Sequence, residues 1–247
     1  MRGKIAAALA SLLLLATAAS PALALDLRQL IREVEEQYMG VSSKARMTMQ
    51  VRTEHWERTL EMEAWSLGRD YFLTRILAPP KERGVATLKV DQEVWNYLPK
   101  VDRVIKIPPS MLGGAWMGSH ITNDDLVKAN QIDRDYDFTL LEETDELWHI
   151  EGIPKPDAAV IWGRIEYTVE KERRVPLVIS YFDEEGLKVR DIVFDEVRAV
   201  DGRTIPMRMT VQPSDEPAER TVMHYTTIDF DIGIEESFFS LRNLKKR

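Results

Sequence analysis

The chain has 247 residues, 33 basic against 41 acidic side chains for a formal net charge of −8, and no cysteine. Without cysteine there are no disulfides, no thiol chemistry and no thiolate metal site, and no cysteine on which the chain itself could carry a lipid. The acidic balance argues against nucleic acid or an anionic bilayer surface as the main partner.

Residues 1–24 read as an export signal. Arg2 and Lys4 form a short basic region, residues 5–19 form an apolar stretch, and Pro21 breaks the run before the small residues at 22 and 24. The stretch is shorter than the roughly 20 residues of a membrane-crossing helix, so cleavage after Ala24 is expected. One domain, 25–247, would remain, with 31 basic against 41 acidic residues. That is enough chain to stabilise itself by core burial alone. An exported, acidic, cysteine-free protein points to the bacterial periplasm.

Residues 26–38 place Leu27, Leu30, Ile31, Val34 and Tyr38 at helical spacing, with Gly40 just beyond; this predicts an amphipathic helix. The acidic run 33–36 reads as its solvated face. The period then changes to two. Ala45, Met47, Met49 and Val51 alternate with Lys44, Arg46, Thr48, Gln50 and Arg52, and Leu60, Met62 and Ala64 alternate with Glu61 and Glu63, the pattern of strands with one wet face. Residues 70–80 end at a proline pair, 86–90 and 93–99 flank a turn at Asp91-Gln92, and 103–108 follow.

Next comes a stretch that suits neither a strand nor a simple turn, "IPPSMLGGAWMGSHITNDDL" at 107–126. Met111, Leu112, Trp116 and Met117 sit among Gly113, Gly114 and Gly118. Those glycines make a poor core helix but a serviceable hinged cover. Strand patterns then resume at 136–140, 147–152, 165–169, three times between 176 and 213, and at 219–233. The whole predicts a mainly β (α+β) fold of about eleven strands. A single antiparallel sheet would curl into a barrel or half-barrel, covered by the N-terminal helix and an irregular lid. A two-sheet sandwich is the alternative.

No catalytic constellation is present. There is no Gly-rich phosphate loop, no Gly-x-Ser-x-Gly elbow and no His-Glu-x-x-His pair, and His55, His120, His149 and His224 are scattered. Asn123-Asp124-Asp125 is better read as a helix start, with Asn123 or Thr122 as the cap. No catalytic residue, metal ligand or cofactor is expected, and an enzyme is not.

The apolar residues carry more information. Methionines share strand faces, Met47 with Met49 and Met207 with Met209, and methionine adapts to variable apolar shapes. An ordinary core would use them too; the flexible apolar cover favours a ligand cavity. Its candidate lining is Met47, Met49, Met62, Trp95, Tyr97, Met111, Leu112, Trp116 and Met117.

Trp95, Tyr97, Pro99, Arg103, Met117-Gly118-Ser119 and Asp124-Asp125-Leu126 together form a pattern that resembles the outer-membrane lipoprotein-sorting, LolA-like family. The resemblance implies an open, unclosed half-barrel that binds acyl chains of lipoproteins or lipids and ferries them between inner and outer membrane. It implies an inner-membrane transporter as donor, of RND or lipoprotein-release type, and an outer-membrane acceptor. It also implies an arginine that holds the lid closed, for which Arg46, Arg52 and Arg69 are candidates. His120 stands where relatives often carry an acidic residue. The alternative is an accessory domain that docks on an RND-type transporter without carrying lipid.

Overall fold

The computed structural model describes residues 25–37, 40–128 and 131–246; the expected export signal lies outside them. The alternating stretches become strands β1 (Ser42–Arg52), β2 (Glu57–Leu67), β3 (Tyr71–Ala78), β4 (Ala86–Val90), β5 (Glu93–Leu98) and β6 (Arg103–Ile107) in the first half. After the cover come β7 (Tyr136–Glu143), β8 (Leu147–Pro154), β9 (Arg164–Glu170), β10 (Val175–Phe182), β11 (Lys188–Val200), β12 (Arg203–Pro213) and β13 (Arg220–Phe230). Helices are few and short: α1 (Leu27–Glu36), α2 (Asn123–Lys128), α3 (Ile132–Asp135) and α4 (Leu241–Leu244).

All thirteen strands form one antiparallel sheet, in the order β6-β5-β4-β3-β2-β1-β13-β12-β11-β10-β9-β8-β7. This is the expected curled, unclosed sheet, with thirteen strands rather than about eleven. Each of the thirteen falls on a stretch already read as strand-like, the short β4, β5 and β6 included, so the figure of about eleven undercounts the sequence's own segments. The chain runs outward from β1 to one rim, crosses to the other, and walks back until β13 pairs with β1. The rims β6 and β7 are therefore consecutive in sequence, joined by residues 108–135.

Cross-strand register turns alternation into rows on each face. Ala45 pairs with Ile228 on one side and Ala64 on the other, and Ala64 pairs in turn with Thr74, which pairs with Thr87. The next row is Tyr225, Met47, Met62 and Ile76. This face carries two apolar clusters. In one, Trp116 and Ile121 from the cover pack against β1, β2, β12 and β13. In the other, Leu30, Ile31 and Val34 of α1 pack against Tyr136, Ile165 and Tyr167. Burying each such side chain stabilises by about 1.5–3 kcal/mol.

The opposite face of β2–β5 has its own cover. Leu73, Leu88 and Tyr97 pack beneath Phe239 and Leu244 of the C-terminal segment. Arg75 Nη2 donates to the Asn243 carbonyl at 2.6 Å, and Phe239 lies 5.4 Å from Tyr71, centroid to centroid.

Candidate functional site

Between α1, the cover and the concave face of the sheet lies a cavity of about 330 Å³, within the range of small-molecule sites. Ala45, Met47, Ala64 and Tyr225 form its wall on the first half of the sheet; Ile165, Tyr167, Ile192 and Phe194 form it on the second. Trp116, Ile121 and Leu126 close it from the cover, and Val34 from α1.

The cover folds through local bonds that its sequence provides. Thr122 Oγ1 accepts from the Asp125 amide at 3.1 Å, while Asp125 Oδ2 accepts from the Thr122 amide at 2.7 Å. This reciprocal cap opens α2. Met117 and Gly118 both sit in the left-handed region, φ 50° and 67°. Such a conformation in methionine persists only where neighbours impose it; here Arg58 of β2 donates to the Met117 carbonyl. The Trp116 indole Nε1 donates to Thr87 Oγ1 at 3.0 Å, which holds the ring on the sheet.

Charges tie the cover to the second half of the sheet. Arg190 of β11 donates from Nη1 to Asp125 Oδ2 at 2.8 Å and from Nη2 to Oδ1 at 2.6 Å, and Nη1 also reaches the His120 carbonyl at 3.2 Å. Its guanidinium lies 4.7 Å from the Trp162 ring centroid and 4.6 Å from that of Tyr181. Burial works against the charge of Arg190, but the Asp125 hydrogen bonds outweigh it and hold its pKa above the ordinary arginine value.

At the other end of the cover, Arg69 Nη1 meets Asp133 of α3 at 2.7 Å, and Arg32 Nε of α1 meets the same carboxylate at 2.9 Å. Burial pushes the Asp133 pKa up, but these two arginines pull it below the usual carboxylate range. Of the three lid-arginine candidates, Arg69 thus contacts the cover. Arg46 pairs with Glu63 on an exposed strand face, and Arg52 is exposed at the end of β1.

Two further ionisable groups line the cavity. Glu35 of α1 is buried, which corrects its reading as part of a solvated face. It falls on the same helical stripe as Ile31 and Val34 and points under the helix. Burial first, and then the charge of Asp133, push its carboxyl up to about 8. Lys89 of β4 is buried among the wall residues, and burial pulls its ammonium down to about 8.

The expected lining residues divide. Met47 and Trp116 line the cavity. Met49 and Met62 are buried in the same cluster without lining it, and Met117 packs against that cluster from the cover. Trp95 and Tyr97 are on the opposite face, beneath the C-terminal segment; the two-residue period of β5 sends them outward when Thr87 of the paired strand points in. Leu112 is half-buried and Met111 exposed.

Arg190 was missed, although its signal was present: it alternates with Ile192 and Phe194, placing a guanidinium on an apolar strand face. Among the described residues, one group has the proximity to hold a metal ion: His120, Glu216 and Glu219, whose ligand atoms lie within 4.8 Å of one another. His120 is engaged there with Thr221 Oγ1 at 2.9 Å and Glu219 Oε2 at 3.0 Å.

A model of a family described only as an uncharacterized protein matches residues 68–246. The solved structures similar to this chain include a DUF1329 family protein from Desulfovibrio piger ATCC 29098, at 22% identity over 88% of this chain and 97% of that one, TM-score 0.79. Another is an outer membrane lipoprotein-sorting protein domain from Vibrio parahaemolyticus, at 22% identity over 89% and 98%, TM-score 0.75. A third is a LolA superfamily protein from Nitrosomonas europaea, at 18% identity over 87% and 98%, TM-score 0.73.

The chain belongs to the uncharacterized family whose model it matches, and it has a LolA-like fold.

No curated protein matches the sequence. At these identities the solved LolA-like structures speak for the fold, whose unclosed sheet and internal cover are the ones described above. On the cavity the chain places ionisable groups that are buried or half-buried, Arg190 and Asp125 at one side and Glu35, Arg69 and Lys89 at the other.

Proposed function

We propose that the chain is a non-enzymatic periplasmic carrier that encloses acyl chains of lipoproteins or lipids and passes them between inner and outer membrane. The observation that carries this reading is the apolar cavity itself, bounded by one sheet face and by a cover that polar ties fasten down. Exposing an acyl chain to water costs about 0.8 kcal/mol per CH₂, so a carrier must shield it completely yet release it without a power source. An apolar wall supplies the first property. A cover fixed by a few ion pairs supplies the second, because such ties can be exchanged for water.

In this reading residues 1–24 direct export and 25–247 work in the periplasm, with an inner-membrane transporter of RND or lipoprotein-release type as donor and an outer-membrane acceptor. Thr221, His120 and Glu219 line up like a hydrolytic relay, but Thr221 is fully buried and does not line the cavity. We read the trio as a fastening between the cover and the hairpin of β12 and β13.

A second reading, an accessory domain that docks on a transporter without lipid, is favoured by Leu98, Val101, Ile105 and Met111. These are exposed apolar residues around the unpaired rim strand β6. Extraction of natively purified protein with organic solvent, followed by mass spectrometry, separates the two. A carrier yields bound lipid and takes up fluorescent fatty acids; absence of both refutes it.

A further inference from the structure

The cavity is apolar along most of its wall, and apart from the Arg190–Asp125 pair at one side it has a second polar region at the other. That second region is built by β1, β2, β4 and α1. One cross-strand row on the concave face runs Ser43, Ser66, Phe72, Lys89, with the two serine hydroxyls 2.7 Å apart. The adjacent row is Ala45, Ala64, Thr74 and Thr87, and the one beyond it is methionine and isoleucine. Polarity therefore fades over two rows.

Lys89 is 2% exposed. Its Nζ donates to the Arg69 carbonyl at 2.6 Å, and it makes no ion pair among the described residues. An ammonium has three donors, so the buried charge is under-satisfied. The carboxylates nearest in effect, Asp70 and Asp91, act at a distance, opposed by Arg134. Arg69 is a second cation on this side, and its guanidinium is already paired with Asp133 and Glu36.

From α1, Glu35 lines the same cavity at 8% exposure, and its Oε2 has no hydrogen-bond partner. Its Oε1 receives a long 3.4 Å hydrogen bond from the Tyr167 hydroxyl. The charges acting on it are Asp133, Arg69 and Glu36. A buried carboxyl beside Asp133 is kept protonated, and so presents an O–H donor. An unpaired cation and an acid that can donate both border one apolar chamber. That arrangement lacks an anionic oxygen group carried on a hydrocarbon chain.

We propose that the ligand of this cavity is a free fatty acid, its carboxylate held at Lys89 and its chain lying along Ala45, Met47 and Trp116. This rests on the carrier reading and sharpens it. The neutral esters and amide of a lipoprotein's acyl anchor would leave Lys89 unpaired, and a cavity of about 330 Å³ is at the small end of the range for binding sites.

The experiment uses delipidated protein at pH 7 and displacement of Nile red by myristate, by tetradecanol and by a myristoyl lysophospholipid. The expected result is that myristate binds about tenfold tighter than tetradecanol, the scale of one charge-assisted hydrogen-bonded contact. In Lys89→Met that ratio should fall to about one, while Glu35→Gln, which keeps a donor, should retain most of it. Equal affinity of the wild-type chain for myristate and tetradecanol overturns the proposal and leaves the carrier reading standing. A lysophospholipid that outcompetes myristate overturns the choice of fatty acid. Binding of none of the three lipids overturns the carrier reading itself. The wild-type comparison needs no variant to fold.

Discussion

Asp125 caps α2 with the same carboxylate that takes both Nη atoms of Arg190, at 2.8 and 2.6 Å. Folding of the cover and its attachment to β11 thus depend on one side chain. A loop that docks this way has two well-defined conditions, tied and untied, because a bidentate pair is lost as a unit.

Asp125→Asn should separate the two roles. Asparagine still accepts from the Thr122 amide, but it leaves Arg190 as a buried, uncompensated cation. A loss of about 3 kcal/mol is expected by urea unfolding. Adding Arg190→Met in the same chain should recover most of it, since no buried charge then remains.

Trp116 tests how far the cover behaves as core. Trp116→Phe keeps most of the ring and deletes the 3.0 Å hydrogen bond to Thr87, which still donates to Asn96 Oδ1 at 2.7 Å. About 1 kcal/mol should be lost. Trp116→Ala should lose about 3–5 kcal/mol if the cavity cannot collapse around the gap. A much smaller loss would mean that the ring caps a space the protein tolerates empty. Thermal melts of the two variants give the comparison.

Glu35 and Lys89 should leave opposite marks on stability against pH. Between the ordinary carboxyl value of 4.5 and about 8, the folded chain holds a proton on Glu35 that the unfolded chain has lost. Stability from this group therefore falls as pH rises, by up to about 1.4 kcal/mol per pH unit. Between about 8 and 10.5 the unfolded chain keeps a proton on Lys89 that the folded chain has released, so stability from that group rises with pH. Glu35→Gln should flatten the first limb and Lys89→Met the second, measured by urea midpoints from pH 5 to 10.

Gly163 precedes β9 next to Trp162, on which Arg190 stacks. A Cβ there would lie 2.5 Å from the Asp183 carbonyl oxygen and 2.7 Å from Glu184 Cα, backbone atoms that cannot yield cheaply. Gly163→Ala should destabilise by about 2 kcal/mol or more. At Gly186, φ +82° with open space around it, alanine should lose only about 1 kcal/mol. Melting temperatures of the pair would distinguish a clash from backbone strain.

Much of the architecture was legible because its signals are local. Alternation at 44–52 marks β1, helical spacing at 27–34 marks α1, and the glycines around Trp116 mark the cover. The site was harder to read because facing is a global property. Period two says that Trp95 and Tyr97 share a face, but only the sheet order and the C-terminal segment decide which face is concave. Glu35 was hidden within an acidic run even though its place on the α1 stripe follows from Ile31. Arg190 stood out on its strand, yet its partner Asp125 lies 65 positions away, and only the path of the cover brings them together.

That path has a mechanical meaning. Residues 108–135 leave one rim strand and enter the other, so the cover is also a strap across the gap between the rims. Its length bounds how far the two rims can separate. On the proposed carrier reading, admission of cargo and widening of the trough would be one coordinate, worked like a drawstring, and a single protease cut in the strap would uncouple them.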